Sequence, residues 1–342
     1  MSEGRNMLVD GEWRTNVKQT DEEGEFQRSE TDFRDWIDGA VPEAGAEPVE
    51  NPQFEPESGR YHVYICRACP WAHRVAMARQ LNGLTEHVSL SLTQPERYDD
   101  GWEFSESYPD PLYDADYLRE NYRRADSAYT GRVTVPVLWD TETETIVNNE
   151  SEEIMRTFDT AFSELGNGVD LYPEELRAEI DETIADIYPS INNGVYRAGF
   201  ATTQAAYDEA VEELFTTLDR YEEHLADQRY LVGERLTEAD LAMFATLVRF
   251  DHVYHTHFRC NRRGIHEYDN LWGYTKDIYQ TPGIAETVNL EHITRHYYGS
   301  HTSLNPKRLV PTGPDIDFTE SHDRDSLPGE RPAELDPAAV AD

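Results

Sequence analysis

Short apolar runs separated by polar segments mark the first half of this chain, and long amphipathic patterns with a helical period mark the second. HVYIC (62–66), HVSLSL (87–92) and VTVPVLWD (133–140) are short runs that predict strands. WAHRVAMARQLNG (71–83) follows the first run and predicts a helix that ends at Gly83. A strand, a helix and a second strand in this order indicate the beginning of a parallel α/β unit.

The remainder of the first half is less regular. Residues 93–130 are rich in Asp, Tyr and Pro and show no clear period, so they predict a long inserted loop, and loops of that length are often functional. TETETIVN (141–148) predicts a fourth strand that forms a hairpin with the third. A helix is expected to begin at Ser151, with acidic residues in its first turn.

Long amphipathic patterns dominate after the glycines at 166–168. They predict helices at 174–191, 203–226, 238–255 and 270–281. Thr237 and Asp240 can form a capping box at the start of the third of these helices. The predicted organisation is an extended N-terminal arm (1–58), a mixed α/β domain (59–165) that carries the inserted loop, an all-helical domain (166–300) and a C-terminal coil (301–342).

The chain is strongly acidic, with 68 Asp and Glu residues against 30 Lys and Arg residues and a net charge of −38 over 342 residues. Such a surface repels nucleic acids and anionic membranes, so neither is expected as a partner. The acidic residues are spread along the whole chain, which favours adaptation of the surface to high salt over an acidic interaction tail, because the Debye length falls to about 3 Å at 1 M salt. We therefore expect the fold to loosen at low ionic strength.

Hydropathy and cysteine content indicate a cytoplasmic protein. No apolar run approaches the ~20 residues needed to span a bilayer, and the N-terminus has no apolar signal-peptide core. Three cysteines, Cys66, Cys69 and Cys260, are too few and odd in number for a disulfide scaffold. The C-x-x-C formed by the first two lacks the second pair that a zinc site requires, so no metal is expected.

Cys69 is the predicted nucleophile. It lies between a predicted strand and a predicted helix, and Pro70 is suited to the first helical position. The free N–H groups and the dipole of a helix N-terminus favour a thiolate, and Arg67, His73 and Arg74 add positive charge nearby. A thiolate at this position is suited to attack on sulfur. We expect its pKa to lie below the ~8.5 of free cysteine; the alternative is an inert buried cysteine.

Cys66 is not expected to act as a second reactive cysteine. Pro70 follows Cys69 directly, so Cys69 takes the position of the nucleophile at the helix start and Cys66 lies at the end of the strand. The position one turn into the helix, where dithiol enzymes carry a resolving cysteine, is Ala72. The sequence therefore predicts chemistry with one thiol, and Cys66 as a core or auxiliary residue.

Two further features are compatible with a bound thiol. A proline within a strand, as in Val135-Pro136, is normally excluded from pairing, but it fits if the bond is cis and leaves the Val135 backbone available to a ligand. The alternative is an edge-strand proline. Glu150 and Ser151 at a helix N-terminus suit a ligand that carries both a carboxylate and an ammonium; the alternative is an ordinary N-cap.

These features, in this order, resemble the glutathione pocket of glutathione transferases. YICRACPWAHRVAMAR, GRVTVPVLWD, IVNNESEEIMR and the stretch from FRCNRRG to HYYGSH are similar to the glutathionyl-hydroquinone reductases, the Xi class of glutathione transferases. The resemblance runs from about residue 9 to 315. It implies the glutathione-transferase fold, with a thioredoxin-like α/β thiol-binding domain and an all-α quinol-binding domain, and it implies a homodimer.

The resemblance also implies roles for individual residues. Cys69 resembles the family's nucleophile. Residues that resemble the family's thiol-binding residues are Trp102, Arg132, Val133, Thr134, Val135, Glu150 and Ser151. Tyr196, Tyr254 and Tyr297 resemble tyrosines that act at the quinol; because Tyr298 is adjacent, the last assignment can shift by one residue. For each tyrosine the alternative is core packing.

The expected reaction is the reduction of a glutathionyl-hydroquinone, or a related thiol–quinol conjugate, to the hydroquinone. It would proceed through a Cys69 mixed disulfide that a second thiol resolves, with glutathione or another γ-glutamyl thiol such as γ-glutamylcysteine as co-substrate. One alternative is glutaredoxin-like reduction of mixed disulfides, but the aromatic-rich helical domain favours an aromatic small molecule. Another is a non-catalytic binding module, and the intact Cys-Pro-Trp-Ala sequence argues against it.

Overall fold

The computed structural model describes residues 5–17 and 32–335. The strands are β1 (Arg5–Val9), β2 (Glu12–Val17), β3 (Tyr61–Ile65), β4 (Ser89–Leu92), β5 (Val137–Asp140) and β6 (Thr145–Asn148). The helices are α1 (Pro70–Leu81), α2 (Leu118–Ala125), α3 (Ser151–Thr160), α4 (Arg177–Ile187), α5 (Gly194–Phe200), α6 (Gln204–His224), α7 (Glu238–Arg249), α8 (His255–His257), α9 (Asp269–Tyr279) and α10 (Leu290–Ser300).

The N-terminal half is built on a four-stranded sheet in the order β4-β3-β5-β6. β3 is parallel to β4 and antiparallel to β5, and β6 completes a hairpin with β5. β3 is buried at all five of its residues, which explains its continuous apolar character. α1 connects the parallel pair, as the sequence predicted, and packs against α3.

The C-terminal half is helical, and α7 lies at its centre with every residue buried. Thr237 and Asp240 form the predicted capping box, in which the Thr237 N–H donates to Asp240 Oδ2 over 2.8 Å. α7 continues through a π-helical turn at Phe250–Tyr254 into α8. α7 also packs against α1, and this contact joins the helical half to the α/β half.

The structure differs from the predicted elements in several places. The inserted loop contains α2, whose buried apolar side chains are only Leu118 and Tyr122, too few to give a period in the sequence. The third strand begins at Val137 rather than at residue 133, because it follows the Val135–Pro136 bond, which is cis. α5 and α10 were not predicted. α5 contains Gly199, which weakens the helical signal but allows close approach to Phe258, because a Cβ there would clash with that ring.

Parts of both predicted termini lie outside the described residues: 1–4 and 18–31 of the arm, and 336–342 of the coil. Where the sequence predicted only an extended arm, residues 5–17 form the β1–β2 hairpin. The Leu8 and Gly131 backbones exchange two hydrogen bonds of 3.0 Å, so the hairpin lies beside the end of the inserted loop. In the C-terminal coil, the buried Arg324 donates to the Leu225 carbonyl of the helical half over 2.6 Å.

Two absences hold for the described ranges, 5–17 and 32–335. No helix there is both long and apolar enough to cross a bilayer. The same ranges contain no group of three or more His, Cys, Asp or Glu residues placed to hold a metal ion.

Candidate active site

Cys69 lies immediately before the first residue of α1. Its backbone is extended (φ −76°, ψ 122°), and Pro70 occupies the first helical position. The Cys69 N–H donates to the Cys66 carbonyl over 3.0 Å, and the Cys69 carbonyl accepts from the His73 N–H over 2.9 Å. Its partly buried Sγ lies 3.6 Å from the Val135 carbonyl oxygen. The nucleophile predicted from sequence therefore has its sulfur at a helix N-terminus and faces the segment that precedes β5.

The other two cysteines lie in different surroundings. Burial raises the pKa of Cys66 to about 12, and its thiol lies 3.8 Å from the Gln94 carbonyl oxygen. Burial also raises the pKa of Cys260, which is fully enclosed. Both are therefore thiols at neutral pH, and Cys69 alone among the three is accessible to solvent.

Arg249, at the end of α7, holds the loop that precedes Cys69. Its side chain is fully buried, and it donates to the Arg67 and Ala68 carbonyls, each over 2.9 Å. No carboxylate of a described residue forms an ion pair with it. Arg249 was not predicted as a site residue; its only signal in the sequence is its place at the end of a largely apolar helix, LTEADLAMFATLVRF.

His73 links Arg249 to the far side of α1. Its Nδ1 accepts from Arg249 over 3.0 Å, and its Nε2 donates to Thr287 Oγ1 over 2.8 Å. Burial and the charges of Arg249 and Arg67 hold the pKa of His73 well below its usual value. His73 is thus a neutral imidazole whose tautomer is fixed by its two partners, and it does not contribute the positive charge expected from sequence.

Glu150 and Ser151 meet a buried arginine at the start of α3. Arg74 donates through Nε and Nη2 to Ser151 Oγ, over 2.9 and 2.7 Å, and its Nη2 lies 3.9 Å from Glu150 Oε1. Glu150 is the N-cap of α3 and accepts from the Ser151 N–H over 3.1 Å. A carboxylate, a hydroxyl, a guanidinium and a helix N-terminus therefore lie together, which suits a ligand that carries both charges.

The segment 132–135 is held in place by tyrosines of the inserted loop. Tyr122, on α2, donates its hydroxyl to the Thr134 carbonyl over 2.9 Å, and its hydroxyl oxygen accepts from the Thr134 N–H over 3.3 Å. Tyr129 donates to the Arg132 carbonyl over 3.1 Å. The unpredicted helix α2 thus positions the backbone segment 132–135 that faces Cys69, in which Val133 and Val135 are buried.

Trp102 is buried in the inserted loop with its indole against α10. The ring stacks on His296 with centroids 5.3 Å apart, and the Arg97 guanidinium lies 5.4 Å from the Trp102 centroid. Two contacts attach this loop to α10: His296 Nδ1 donates to the Pro95 carbonyl over 2.6 Å, and the Arg97 N–H donates to Ser300 Oγ over 2.8 Å. The buried Trp102 Nε1–H has no hydrogen-bond partner within the described part of the chain, so it remains available to a ligand.

Tyr196, Tyr254 and Tyr297 come together from three separate helical segments. The Tyr297 hydroxyl is 2.9 Å from that of Tyr254 and is also hydrogen-bonded to that of Tyr196. The Tyr196 ring lies 4.8 Å from the ring of Trp71, which follows Pro70 at the start of α1. The sequence had placed these tyrosines together only by resemblance, and the fold brings their hydroxyls into contact.

Burial keeps the three phenols protonated. It raises the pKa of Tyr254 to about 12 and the pKa values of Tyr196 and Tyr297 well above the usual value of tyrosine. A negative charge on Cys69 contributes to the first two increases, so the cluster lies within electrostatic reach of the nucleophile. Tyr298 points elsewhere and donates to the His252 carbonyl over 3.2 Å. Of the two adjacent tyrosines, Tyr297 is therefore the one that belongs to the cluster.

Comparison with known proteins places this geometry among glutathione transferases. The family model of the glutathione S-transferase N-terminal domain matches residues 68–161, and that of the C-terminal domain matches residues 204–277. The chain is 49% identical to glutathionyl-hydroquinone reductase YqjG of Escherichia coli over 93% of this chain and 98% of the relative. It is 47% identical to glutathionyl-hydroquinone reductase PcpF of Sphingobium chlorophenolicum over 90% and 96%, respectively.

Solved structures show the same similarity. The Xi-class glutathione transferase from Natrialba magadii superposes with a TM-score of 0.88 at 56% identity, covering 95% of this chain and 98% of that one. The glutathione-bound structure of YqjG from Escherichia coli superposes with a TM-score of 0.84 at 46% identity, covering 93% and 99%.

Proposed function

Because the chain belongs to the glutathionyl-hydroquinone reductases, the Xi class of glutathione transferases, we propose that it reduces thiol–quinol conjugates through a mixed disulfide at Cys69. It is a glutathione-dependent enzyme with the family's thioredoxin-like and all-helical domains. The observation that carries the proposed mechanism is the position of Cys69 Sγ, at a helix N-terminus and 3.6 Å from the Val135 carbonyl oxygen.

The thiol is proposed to bind along the α/β half. Glu150 and Ser151 would hold the γ-glutamyl end, and the backbone at Val135 would hold the cysteinyl unit next to Cys69. Arg132 and Trp102 would contact the glycine end. The solved relatives from Escherichia coli and Saccharomyces cerevisiae that carry glutathione support glutathione as the co-substrate. We extend the proposal to γ-glutamylcysteine, because it shares with glutathione the γ-glutamyl end and the cysteinyl unit.

In the proposed first step the Cys69 thiolate attacks the sulfur of the thioether. The quinol first tautomerises, so that the carbon that carries the sulfur gains a proton and a ring hydroxyl becomes a ketone. An S–S bond then forms as the C–S bond breaks, and the electron pair of the C–S bond passes through the ring onto that oxygen, which is protonated to give the hydroquinone. The two sulfurs are oxidised to a disulfide and the ring is reduced by two electrons. Tyr196, Tyr254 and Tyr297 would exchange protons with the quinol, since their raised pKa values leave them as neutral donors.

In the second step an external thiolate attacks the mixed disulfide, releases the thiol as its disulfide and restores Cys69. Cys66 is not proposed as the resolving group. Its thiol is fully buried, and a pKa of about 12 leaves it protonated at neutral pH, whereas exchange requires a thiolate.

A single-turnover experiment tests the mechanism. The protein is mixed with one equivalent of a glutathionyl-hydroquinone in the absence of free thiol, and the quenched protein is analysed by intact-mass and peptide mass spectrometry. One glutathione adduct at Cys69, formed at the rate at which hydroquinone appears, is expected. Release of hydroquinone without an adduct would reject the mixed disulfide, and an adduct formed only from mixed-disulfide substrates would favour the glutaredoxin-like alternative.

We also propose a cytoplasmic homodimer with a salt-adapted surface, on the basis of the family and the net charge of −38. Sedimentation equilibrium in multimolar salt should give about twice the monomer mass of 39.4 kDa, and a mass equal to that of the monomer would contradict the homodimer.

The midpoint of thermal unfolding, monitored by circular dichroism, should shift to lower temperature as salt is removed. An unchanged midpoint of thermal unfolding would contradict the salt-adapted surface.

A further inference from the structure

Part of the N-terminal arm lies beside β6, at the edge of the four-stranded sheet. The Phe33 carbonyl accepts from the Asn149 N–H over 3.1 Å, and the Asp35 N–H donates to the Val147 carbonyl over 3.0 Å, in an antiparallel arrangement. Asn149 directly precedes the N-cap of α3, where the γ-glutamyl end of the thiol is proposed to bind. The Phe33 backbone therefore holds the chain at the point where that part of the thiol site begins.

The Phe33 side chain packs on two tyrosines of the inserted loop. It is partly buried, and its ring lies edge-on to that of Tyr122, with centroids 5.8 Å apart and an angle of 79° between the planes. Its centroid is 5.3 Å from that of Tyr129. The two tyrosine rings are themselves 5.3 Å apart and buried. Phe33 thus covers a pair of buried rings and restricts where they can lie.

These two tyrosines hold the backbone that is proposed to bind the cysteinyl unit. Tyr129 donates its hydroxyl to the Arg132 carbonyl over 3.1 Å, and Tyr122 does the same to the Thr134 carbonyl over 2.9 Å. The Tyr122 hydroxyl also accepts from Asn149 Nδ2 over 2.9 Å. The rings under Phe33 are therefore connected to both parts of the thiol site, the segment 132–135 and the start of α3.

We propose that Phe33 is a positioning residue for the thiol, which sets the spacing between the segment 132–135 and the start of α3. This inference rests on the proposed function, because it takes the thiol site as assigned there. The γ-glutamyl and cysteinyl units are joined covalently, so both can be bound at once only if the two parts of the site lie at the matching distance. A site held at that distance before the ligand arrives binds it more tightly.

The β1–β2 hairpin holds the same stretch of the inserted loop without the help of Phe33. The Gly11 N–H donates to the Tyr129 carbonyl over 3.0 Å, and the Asp10 N–H donates to Thr130 Oγ1 over 2.8 Å. Removal of the Phe33 ring should therefore leave the loop attached to the arm and the protein folded, so the role of the ring can be measured by substitution.

The test measures the binding of S-methylglutathione to the full-length protein by isothermal titration calorimetry at high salt. This alkyl thioether carries the γ-glutamyl and cysteinyl units and has no quinol. Phe33→Ala should raise its Kd about tenfold, because the two parts of the site must then be ordered as the ligand binds. Phe33→Leu keeps most of the apolar volume and should raise the Kd about threefold.

Turnover gives a second readout, on two substrates. One is a glutathionyl-hydroquinone, the conjugate; the other is the mixed disulfide of glutathione and 2-mercaptoethanol, whose leaving group is an aliphatic thiolate. Phe33→Ala should raise the KM for both substrates alike and leave kcat unchanged, which is the result of losing binding that the ground state and the transition state share. A fall in kcat at unchanged KM would assign Phe33 to the chemical step and overturn the proposal.

Phe318→Ala is the matched control. Phe318 also packs on two aromatic rings, those of Trp272 and Tyr279, with centroids 5.3 and 5.2 Å away, but these rings belong to the helical half. Its replacement should lower the free energy of unfolding at least as much as Phe33→Ala does, because it is the more buried of the two, and leave the Kd unchanged. An unchanged Kd in Phe33→Ala, or an equal rise in both variants, would overturn the proposal.

The proposed function can fail separately. If the unmodified protein binds S-methylglutathione but does not cleave the conjugate, the quinol activity is wrong, and the Kd values still decide the role of Phe33. If the unmodified protein does not bind S-methylglutathione, the thiol site is wrong and this inference falls with it. If it binds the thioether and cleaves the conjugate while Phe33→Ala binds equally well, the function stands and the role of Phe33 alone is rejected.

Discussion

The α/β half of the active site takes its chemistry from the ends of helices and strands, whereas the helical half takes it from side chains enclosed in an aromatic core. Cys69, Glu150 and Ser151 lie at the N-termini of α1 and α3, and the backbone at Val135 lies just before β5. The tyrosine cluster is instead assembled from α5, the turn after α7, and α10.

This difference separates two tasks. A helix N-terminus stabilises a thiolate or a carboxylate through groups that are local in sequence, so the α/β half can bind and activate a thiol regardless of what the thiol is attached to. The helical half contributes buried side chains to the site rather than a helix N-terminus. Burial keeps Tyr196, Tyr254 and Tyr297 protonated, and in the proposed reaction these neutral phenols would form the environment of the leaving group. Variants of the two halves should therefore fail on different substrates.

The largest effect is expected for the nucleophile. Cys69→Ser should reduce turnover of every substrate by at least about 10³-fold, because the alcohol is not ionised and cannot form the mixed disulfide. Cys66→Ser, the matched control, should retain turnover within about threefold, since its buried thiol stays protonated. Steady-state rates on the conjugate and on the mixed disulfide measure both variants. If Cys69→Ser remains active and Cys66→Ser is inactive, the nucleophile is Cys66 and not Cys69.

The two halves also differ in how far their sites follow from sequence. The strand–Cys–Pro–helix order is local, so the position of Cys69 before α1 was predictable from residues 62–83 alone. Arg249 and Arg97 reach the site only through long-range packing, from α7 and the inserted loop respectively. An arginine at a helix end or in a loop is normally an exposed residue, so the sequence alone does not place either side chain near the site.

The tyrosine cluster is intermediate between Cys69 and the two arginines in how far it could be predicted from the sequence. Its members were identified by resemblance, and the choice between Tyr297 and Tyr298 was open until the helix orientation of α10 was known. The helix itself was not predicted, because LEHITRHYYGS has no apolar stripe wide enough to distinguish it from the surrounding coil. Polar atoms buried in an aromatic core leave little trace in a hydropathy pattern.

A second prediction separates the halves by substrate. Tyr297→Phe removes the hydroxyl that bonds both other members of the cluster. It should slow cleavage of the conjugate by about 10- to 100-fold, at the low end of general acid–base effects, and leave cleavage of the mixed disulfide nearly unchanged. Tyr298→Phe removes a hydroxyl that lies outside the cluster and donates to the His252 carbonyl, so it should change neither rate. Equal losses on both substrates would mean that the cluster activates Cys69 rather than the leaving group.

A third prediction tests the connection between the halves. Arg249→Met removes the donors to the buried Ala68 carbonyl and the partly buried Arg67 carbonyl, at about 1–3 kcal/mol for each unsatisfied group. Its free energy of unfolding at high salt should therefore fall by about 2–6 kcal/mol, and alkylation of Cys69 in the folded protein should slow because its loop is no longer held. Chemical denaturation and alkylation kinetics measure the two effects.

Arg324→Met provides the comparison for Arg249. Arg324 is equally buried and also donates to backbone carbonyls, those of Leu225 and Gln228, but it lies in the C-terminal coil away from the site. It should lose similar stability and keep the full alkylation rate of Cys69. If both variants alter the alkylation rate to the same extent, the effect is general loosening and Arg249 does not position the nucleophile.

The smallest effect is expected within the α/β half itself, at the glycine end of the thiol. Glutathione and γ-glutamylcysteine share the groups assigned to Glu150, Ser151 and Val135, and they differ only where Arg132 and Trp102 would act. A partly exposed arginine–carboxylate contact contributes about 0–1 kcal/mol, and less in high salt. Since 1.4 kcal/mol corresponds to tenfold, the two thiols should support turnover of one conjugate within about tenfold of each other, measured as apparent second-order rates in high salt. A thousandfold preference for either thiol would show that the glycine end is recognised strongly, and the assignment of Arg132 and Trp102 to a weak, partly exposed contact would have to be abandoned.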